Sequence, residues 1–245
     1  MPDLPSSPEK ANLLRRCQVT GSLTGTELAE IAGRRSSTWW LLSRLVIEQP
    51  QDPWLGELEA VLAAVDAEAM TPLGAESASL LNALQTARRP VDGLTALAVD
   101  RTSLLAGVMH KKTLPAPYER AALGFPMNSD LVIDVIECYR EAGLEDFGLE
   151  FGPPDFLGTE LRFMALLGYS ELQAHQEGNP GLAAQWLSRQ TRFLDEHLLA
   201  WVPAHCEKLG AMAKTPFYAA VATLLSRACL LDRSDLSLLS ERMNQ

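Results

Sequence analysis

Two proline-rich stretches carry the side chains best suited to grip a ligand. PAPYERA at 115–121 brings Tyr118, Glu119 and Arg120 together, and FGPPDFLGTEL at 151–161 does the same for Pro153, Pro154, Asp155, Phe156, Leu157 and Glu160. Proline fixes φ, so such turns have little conformational entropy left to lose on binding. Glu119, Asp155 and Glu160 place carboxylates beside the apolar Tyr118, Phe156 and Leu157. An acidic rim along an apolar groove suits a peptide that carries arginines next to a hydrophobic stretch. Plainer roles exist for the same residues. Asp155 can cap a helix starting at Phe156, and Glu119 can pair with Arg120 or Arg101. Arg101 lies on an otherwise apolar helical face and needs a carboxylate if buried, for which Glu119 and Asp155 are the candidates.

Covalent chemistry finds no such foothold. The chain has no G-x-G-x-x-G, no phosphate-binding G-x-x-x-x-G-K and no H-E-x-x-H, and Gly168-Tyr169-Ser170 lacks the second glycine of a nucleophile elbow. His197 and His205 are eight apart with Pro203 between them, whereas two helical ligands of one metal sit four apart, so no metal and no cofactor are expected. His110, beside Lys111 and Lys112, reads as a solvated loop residue. Cys17, Cys138, Cys206 and Cys229 are scattered singly, which points to reduced thiols rather than a disulfide framework. TGTELAEIAGRRSSTWWLLSRL at 24–45 offers a short helix, a glycine turn and a second helix, the outline of a DNA-binding helix-turn-helix. Its second helix would present Trp39 and Trp40 where polar base-reading side chains belong, and the net charge of −10 repels a phosphate backbone.

The elements that must position these groups read as helices throughout. Apolar residues recur at three and four positions, strand-like alternation is nearly absent, and the fold class is all-α with no sheet, a single multi-helix domain over 23–245 behind a loose arm at 1–22. Helices are expected at 26–33, 37–48, from Pro53, at 75–88, behind Asp92, from Asn128 or Ser129 to Gly143, from Phe156 to the GNPG at 178–181, at 182–202 with a break at Pro203, and from Thr215-Pro216 through Leu231. With 245 residues, 47% hydrophobic and 21% charged, the chain can bury a core without staples and is not a disordered one. No apolar run reaches the length of a membrane span, and MPDLPSSPEK lacks the basic start and apolar stretch of a secretory leader, so a cytoplasmic protein is expected.

Taken in order, STWWLLSRL at 37–45, LAVDRTSLLAG at 97–107, the PAPYER loop, VIDVIECYREAGL at 132–144, PPDFLGTELRFMALL at 153–167, RFLDEHLLAWVPAHCEKL at 192–209 and PFYAAVATLL at 216–225 resemble the TorD/DmsD/NarJ family of redox-enzyme maturation chaperones. The P-P-D-x-x-x-x-E-L-x-F-M run is the most specific part. The resemblance implies a non-catalytic, all-helical cytoplasmic chaperone. It would bind the N-terminal leader or tail of a molybdenum-cofactor oxidoreductase subunit and hold it for cofactor insertion before assembly or twin-arginine export. Such a protein needs no nucleic acid and no membrane span, and it works as a monomer or dimer. Pro153, Pro154, Asp155 and Glu160 match the family signature, Tyr118 and Glu119 match its aromatic-glutamate loop, and Leu104 and Leu105 fall where the family has an apolar pair lining the groove. Phe156 departs from the histidine that commonly follows the aspartate, which implies a more apolar groove.

Overall fold

In the computed structural model, residues 23–67, 72–106, 114–126, 129–144 and 152–243 are described. The expected arm at 1–22, Cys17, Asn128 and the His110-Lys111-Lys112 stretch lie outside them. Helix follows helix: α1 Gly25–Ile47, α2 Asp52–Ala67, α3 Gly74–Arg88, α4 Gly93–Leu105, the single turn α5 Glu119–Ala122, α6 Asp130–Glu141, α7 Leu157–Gln176, α8 Pro180–Phe193, a π turn Leu194–Leu198, α9 Leu199–Met212 and α10 Pro216–Met243. Among the described residues there is no strand, and the one β feature is an isolated antiparallel bridge between Tyr118 and Phe156. The helices form a single helical domain.

α7 is the central element. Thirteen of its residues are buried, from Leu157 and Leu161 through Phe163, Met164 and Leu167 to Ala174. It lies along α1, and Gly168 permits the approach, since a Cβ there would stand 3.2 Å from the Ser36 Cα. Its end is set as the GNPG motif dictates: Gly178 takes φ 68°, the Asn179 side chain accepts from the Leu182 N–H at 3.0 Å, and Pro180 opens α8.

Three expectations about local structure fail. The helix-turn-helix at 24–45 is one helix. A capping box starts it, with Thr24 Oγ1 accepting the Glu27 N–H and Glu27 accepting the Thr24 N–H, and it runs unbroken through Gly33, which packs against Leu172. Without a turn there is no recognition helix, and Trp39 is a core residue, 1% exposed. The expected helix at 182–202 stops being α-helical at Leu194, well before Pro203. Pro203 lies inside α9, where it deprives only the Leu199 carbonyl of its donor, and the irregularity falls upstream in the π turn. Asp92 precedes α4 but makes no capping hydrogen bond. Asp100 instead caps a different helix, accepting from the N–H groups of Lys214 and Thr215 and from Thr215 Oγ1 at 2.6–3.1 Å where α10 begins.

Candidate functional site: an acidic cavity on a buried carboxylate base

The two proline loops meet. The Glu119 N–H donates to the Asp155 carbonyl at 2.9 Å, the Leu157 N–H donates to the Pro117 carbonyl at 2.9 Å, and the Tyr118 and Phe156 rings stand 5.6 Å apart beside this bridge. Tyr139 of α6 adds a third strut, its Oη donating to the Pro154 carbonyl at 2.6 Å. Pro153 is exposed, and Pro154, Tyr118 and Phe156 are half-buried.

The carboxylates do not form a solvated rim. Glu119, Asp155 and Glu160 are 1%, 0% and 0% exposed, and each has found an internal partner. Asp155 pairs with the Arg120 guanidinium and also accepts from the Arg120 N–H at 3.3 Å, so it does not cap α7; that position belongs to Phe156. Glu119 accepts from His197 Nδ1 at 3.1 Å rather than from Arg120 or Arg101. Arg101 meets neither carboxylate: its Nη2 donates to the Val46 and Ile47 carbonyls at the C-terminus of α1, at 2.9 and 2.6 Å, while its Nε has no hydrogen-bond partner among the described residues and burial lowers its pKa. Glu160 accepts from Trp201 Nε1 at 3.2 Å. Burial first, then the nearby Glu119 charge, pushes the Glu160 carboxyl well above its ordinary pKa, and His197 and Trp201 offset only part of this. Asp155→Ala removes Arg120's counter-charge next to the bridge and should cost about 2 kcal/mol. The check is the melting temperature by circular dichroism, and an unaltered value would mean that the loops hold without this ion pair.

Above this base opens a cavity of about 820 Å³ whose walls are α6, the turn after α5, the end of α8 and the π turn. Glu119 and His197 reach it from below, Leu123, Phe125 and Pro126 form one apolar side, and Asp130, Asp134, Glu137 and Glu141 line it from α6, with Glu196 opposite. Six carboxylates thus face one guanidinium, Arg192, and one imidazole. Arg192 is taken up by Glu141, with Glu196 at 4.0 Å, and Glu137 is taken up by Arg140. Asp130 and Asp134 are exposed and have no ion-pair partner among the described residues. Phe125 is 51% exposed beside them.

Of the peptide-binding residues expected from sequence, only Glu119 lines this cavity. Tyr118, Pro153, Pro154, Asp155 and Phe156 form the loop pair next to it, and Glu160 lies a turn further into α7. Leu104 and Leu105, 2% and 4% exposed, sit in the core and do not line the cavity. The acidic wall is missed when only the apolar face of α6 is read, although 130, 134, 137 and 141 follow helical spacing. His197 reaches the site through the π turn, which periodicity does not reveal.

A model of the family described as nitrate reductase delta subunit matches residues 66–207. The chain is 27% identical over 207 residues to the chaperone protein TorD of Photobacterium profundum, covering 81% of this chain and 92% of that one. It is 28% identical over 183 residues to the chaperone protein TorD of Vibrio parahaemolyticus, covering 73% and 76%. A TorD of Vibrio cholerae is 26% identical over 203 residues, covering 81% and 90%. No solved structure matches. Among the described residues no helix is long and apolar enough to cross a membrane.

Proposed function

Since this chain belongs to the nitrate reductase delta subunit family, we propose that it holds the N-terminal leader of a molybdenum-cofactor oxidoreductase catalytic subunit in the acidic cavity until cofactor is inserted. It is a redox-enzyme maturation chaperone and not an enzyme, as its curated relatives are named chaperones. The leader, the cofactor step and a cytoplasmic setting are the proposal.

The observation that carries it is that two exposed carboxylates, Asp130 and Asp134, without an ion-pair partner among the described residues, stand beside an exposed apolar side made by Leu123 and Phe125. A cationic, partly apolar tail finds both its complements there. Its guanidinium groups meet solvated carboxylates one helical turn apart, whereas Glu119, Asp155 and Glu160 keep the loops and the π turn in register beneath. Contacts to solvated charges are individually modest and salt-sensitive, which keeps release easy.

Calorimetric titration with the leader peptide of the molybdoenzyme encoded next to this chain tests the reading. Binding should appear at micromolar protein, and Asp130→Asn with Asp134→Asn should weaken it about tenfold, equal to about 1.4 kcal/mol. Raising salt should weaken the parent chain more than the double variant. Absent heat with the parent, or equal affinity in the variant, overturns the assignment of this cavity.

A further inference from the structure

The cavity has a fitting occupant in the chain itself. Ahead of α1, KANLLRRCQV at 10–19 sets Lys10, Arg15 and Arg16 among Leu13, Leu14 and Val19, and no carboxylate stands between Glu9 and Glu27. In a protein of net charge −10 this is a local excess of cations beside apolar side chains. The other adjacent arginine pairs are committed elsewhere: Arg35 is bound to Asp232 and Glu171, and Arg88 to Glu59.

The cavity presents the matching groups in matching number. Asp130 and Asp134 are exposed, one helical turn apart on α6, and without an ion-pair partner among the described residues, whereas Glu137 and Glu141 are taken by Arg140 and Arg192. Two uncommitted carboxylates thus stand ready for two guanidiniums. Leu123 and Phe125, 39% and 51% exposed on the same cavity, are the apolar complement of Leu13 and Leu14.

Reach allows the match within one chain. α1 runs antiparallel to α7, because Gly33 packs against Leu172, Gly168 against Ser36 and Gly158 against Ile47. At 1.5 Å per helical residue, Thr24 lies about 27 Å along α7 from the level of Phe163, whose ring meets Tyr139 of α6 beside the cavity. Residues 15–23 in extended form span about 30–32 Å. Arg15 and Arg16 therefore come level with Asp130 and Asp134, and Leu13 and Leu14 fall just beyond.

We propose that residues 13–19 occupy the acidic cavity of their own chain, with Arg15 and Arg16 on Asp130 and Asp134 and Leu13 and Leu14 against Leu123 and Phe125, and that a leader must displace them. The displacement rests on the leader-binding reading, and the occupancy does not. A tethered segment acts at an effective concentration of about 1 mM, so an intrinsic Kd of about 0.5 mM fills two-thirds of the cavities. Leader affinity is then lowered about threefold, since only the open third binds.

Both halves are read in the full chain carrying Arg15→Gln with Arg16→Gln, two substitutions that precede α1. In nitrogen-15 NMR spectra these should shift the amide signals of Leu123, Phe125, Asp130 and Asp134, and about 1 mM of a peptide of residues 10–19 should move them back toward the parent positions. Unmoved signals overturn the occupancy. Parent signals that change to those of the variant on tenfold dilution overturn the same-chain arrangement and assign the segment to a neighbouring copy. In the leader titration the double arginine variant should bind about threefold tighter than the parent. Because Asp130→Asn with Asp134→Asn releases the segment as well as weakening the leader, its loss should grow from about tenfold in the parent to about thirtyfold in the arginine variant. Equal leader affinities with and without the arginines overturn the displacement. A leader that binds neither chain sinks the leader-binding reading instead and leaves the NMR result to decide the occupancy.

Discussion

Replacing Arg35 with methionine should cost about 3–5 kcal/mol, the largest loss expected from any single substitution in this chain. Arg35 is 6% exposed and uses its whole guanidinium. Its Nε donates to Asp232 at 2.6 Å, its Nη1 to Glu171 at 3.0 Å, and its Nη2 to Gln190 at 2.9 Å and Asp232 at 3.1 Å. Trp39 Nε1 donates to the same Asp232 at 3.0 Å, and Gln190 Nε2 donates to Glu171 at 2.7 Å. One side chain of α1 thereby ties together α7, α8 and α10. Burial disfavours its charge, yet Asp232 and Glu171 outweigh that and hold the guanidinium more firmly protonated than usual. Methionine keeps the apolar stem but strands two carboxylates, 2% and 7% exposed, without their cation. For a chain of this length the melting temperature should fall by about 10 °C, with the urea midpoint falling in step. A small change in both would mean that water or the neighbouring helices already satisfy those carboxylates.

This network also shows where reading a sequence runs out. Arg35 lies in AGRRSS, where a glycine between two apolar runs reads as a turn, and its partners are 136, 155 and 197 residues away. Nothing local distinguishes a turn glycine from one that lets Leu172 approach. Features governed by local chemistry are legible: Pro53 within the first turn of α2, the GNPG stop after α7, Thr215-Pro216 ahead of α10, and the helical class itself. The site is half legible. The loops are adjacent, yet carboxylates in such loops default to solvent, and only the fold supplies the Arg120, His197 and Trp201 partners that bury them. The wall that does face solvent lies in the spacing of Asp130, Asp134, Glu137 and Glu141, on the face of α6 opposite the apolar one.

His205→Phe should stabilise the protein at every pH, and increasingly so in acid. His205 is 2% exposed, its ring meets Trp201 edge-on at 5.2 Å between centroids, and neither of its nitrogens has a hydrogen-bond partner among the described residues. Phenylalanine keeps the ring contact and removes two buried polar atoms, a gain of about 1–3 kcal/mol near neutrality. Burial, and then the Lys208 charge, lower the His205 pKa from 6.5 to about 4. Between those values the unfolded chain binds a proton that the folded chain refuses, so His205 costs the fold more as pH falls from 6.5 and reaches its full penalty, about 3 kcal/mol, below pH 4. Asp235 works against this in the parent, because burial and then Asp232 raise its pKa from 3.8 to about 6, so its neutral form favours the fold as pH drops. His197, raised to about 10, acts elsewhere: its contribution is complete below pH 6.5 and is lost as pH rises toward 10. The difference between parent and His205→Phe cancels both, since each chain retains Asp235 and His197. Urea unfolding at about pH 7 and pH 4 should therefore show the variant's advantage growing by about 3 kcal/mol. An advantage that stays constant across that interval would mean that His205 takes up its proton inside the fold, and that the space around Trp201 and Glu160 is more polar than its apolar walls imply.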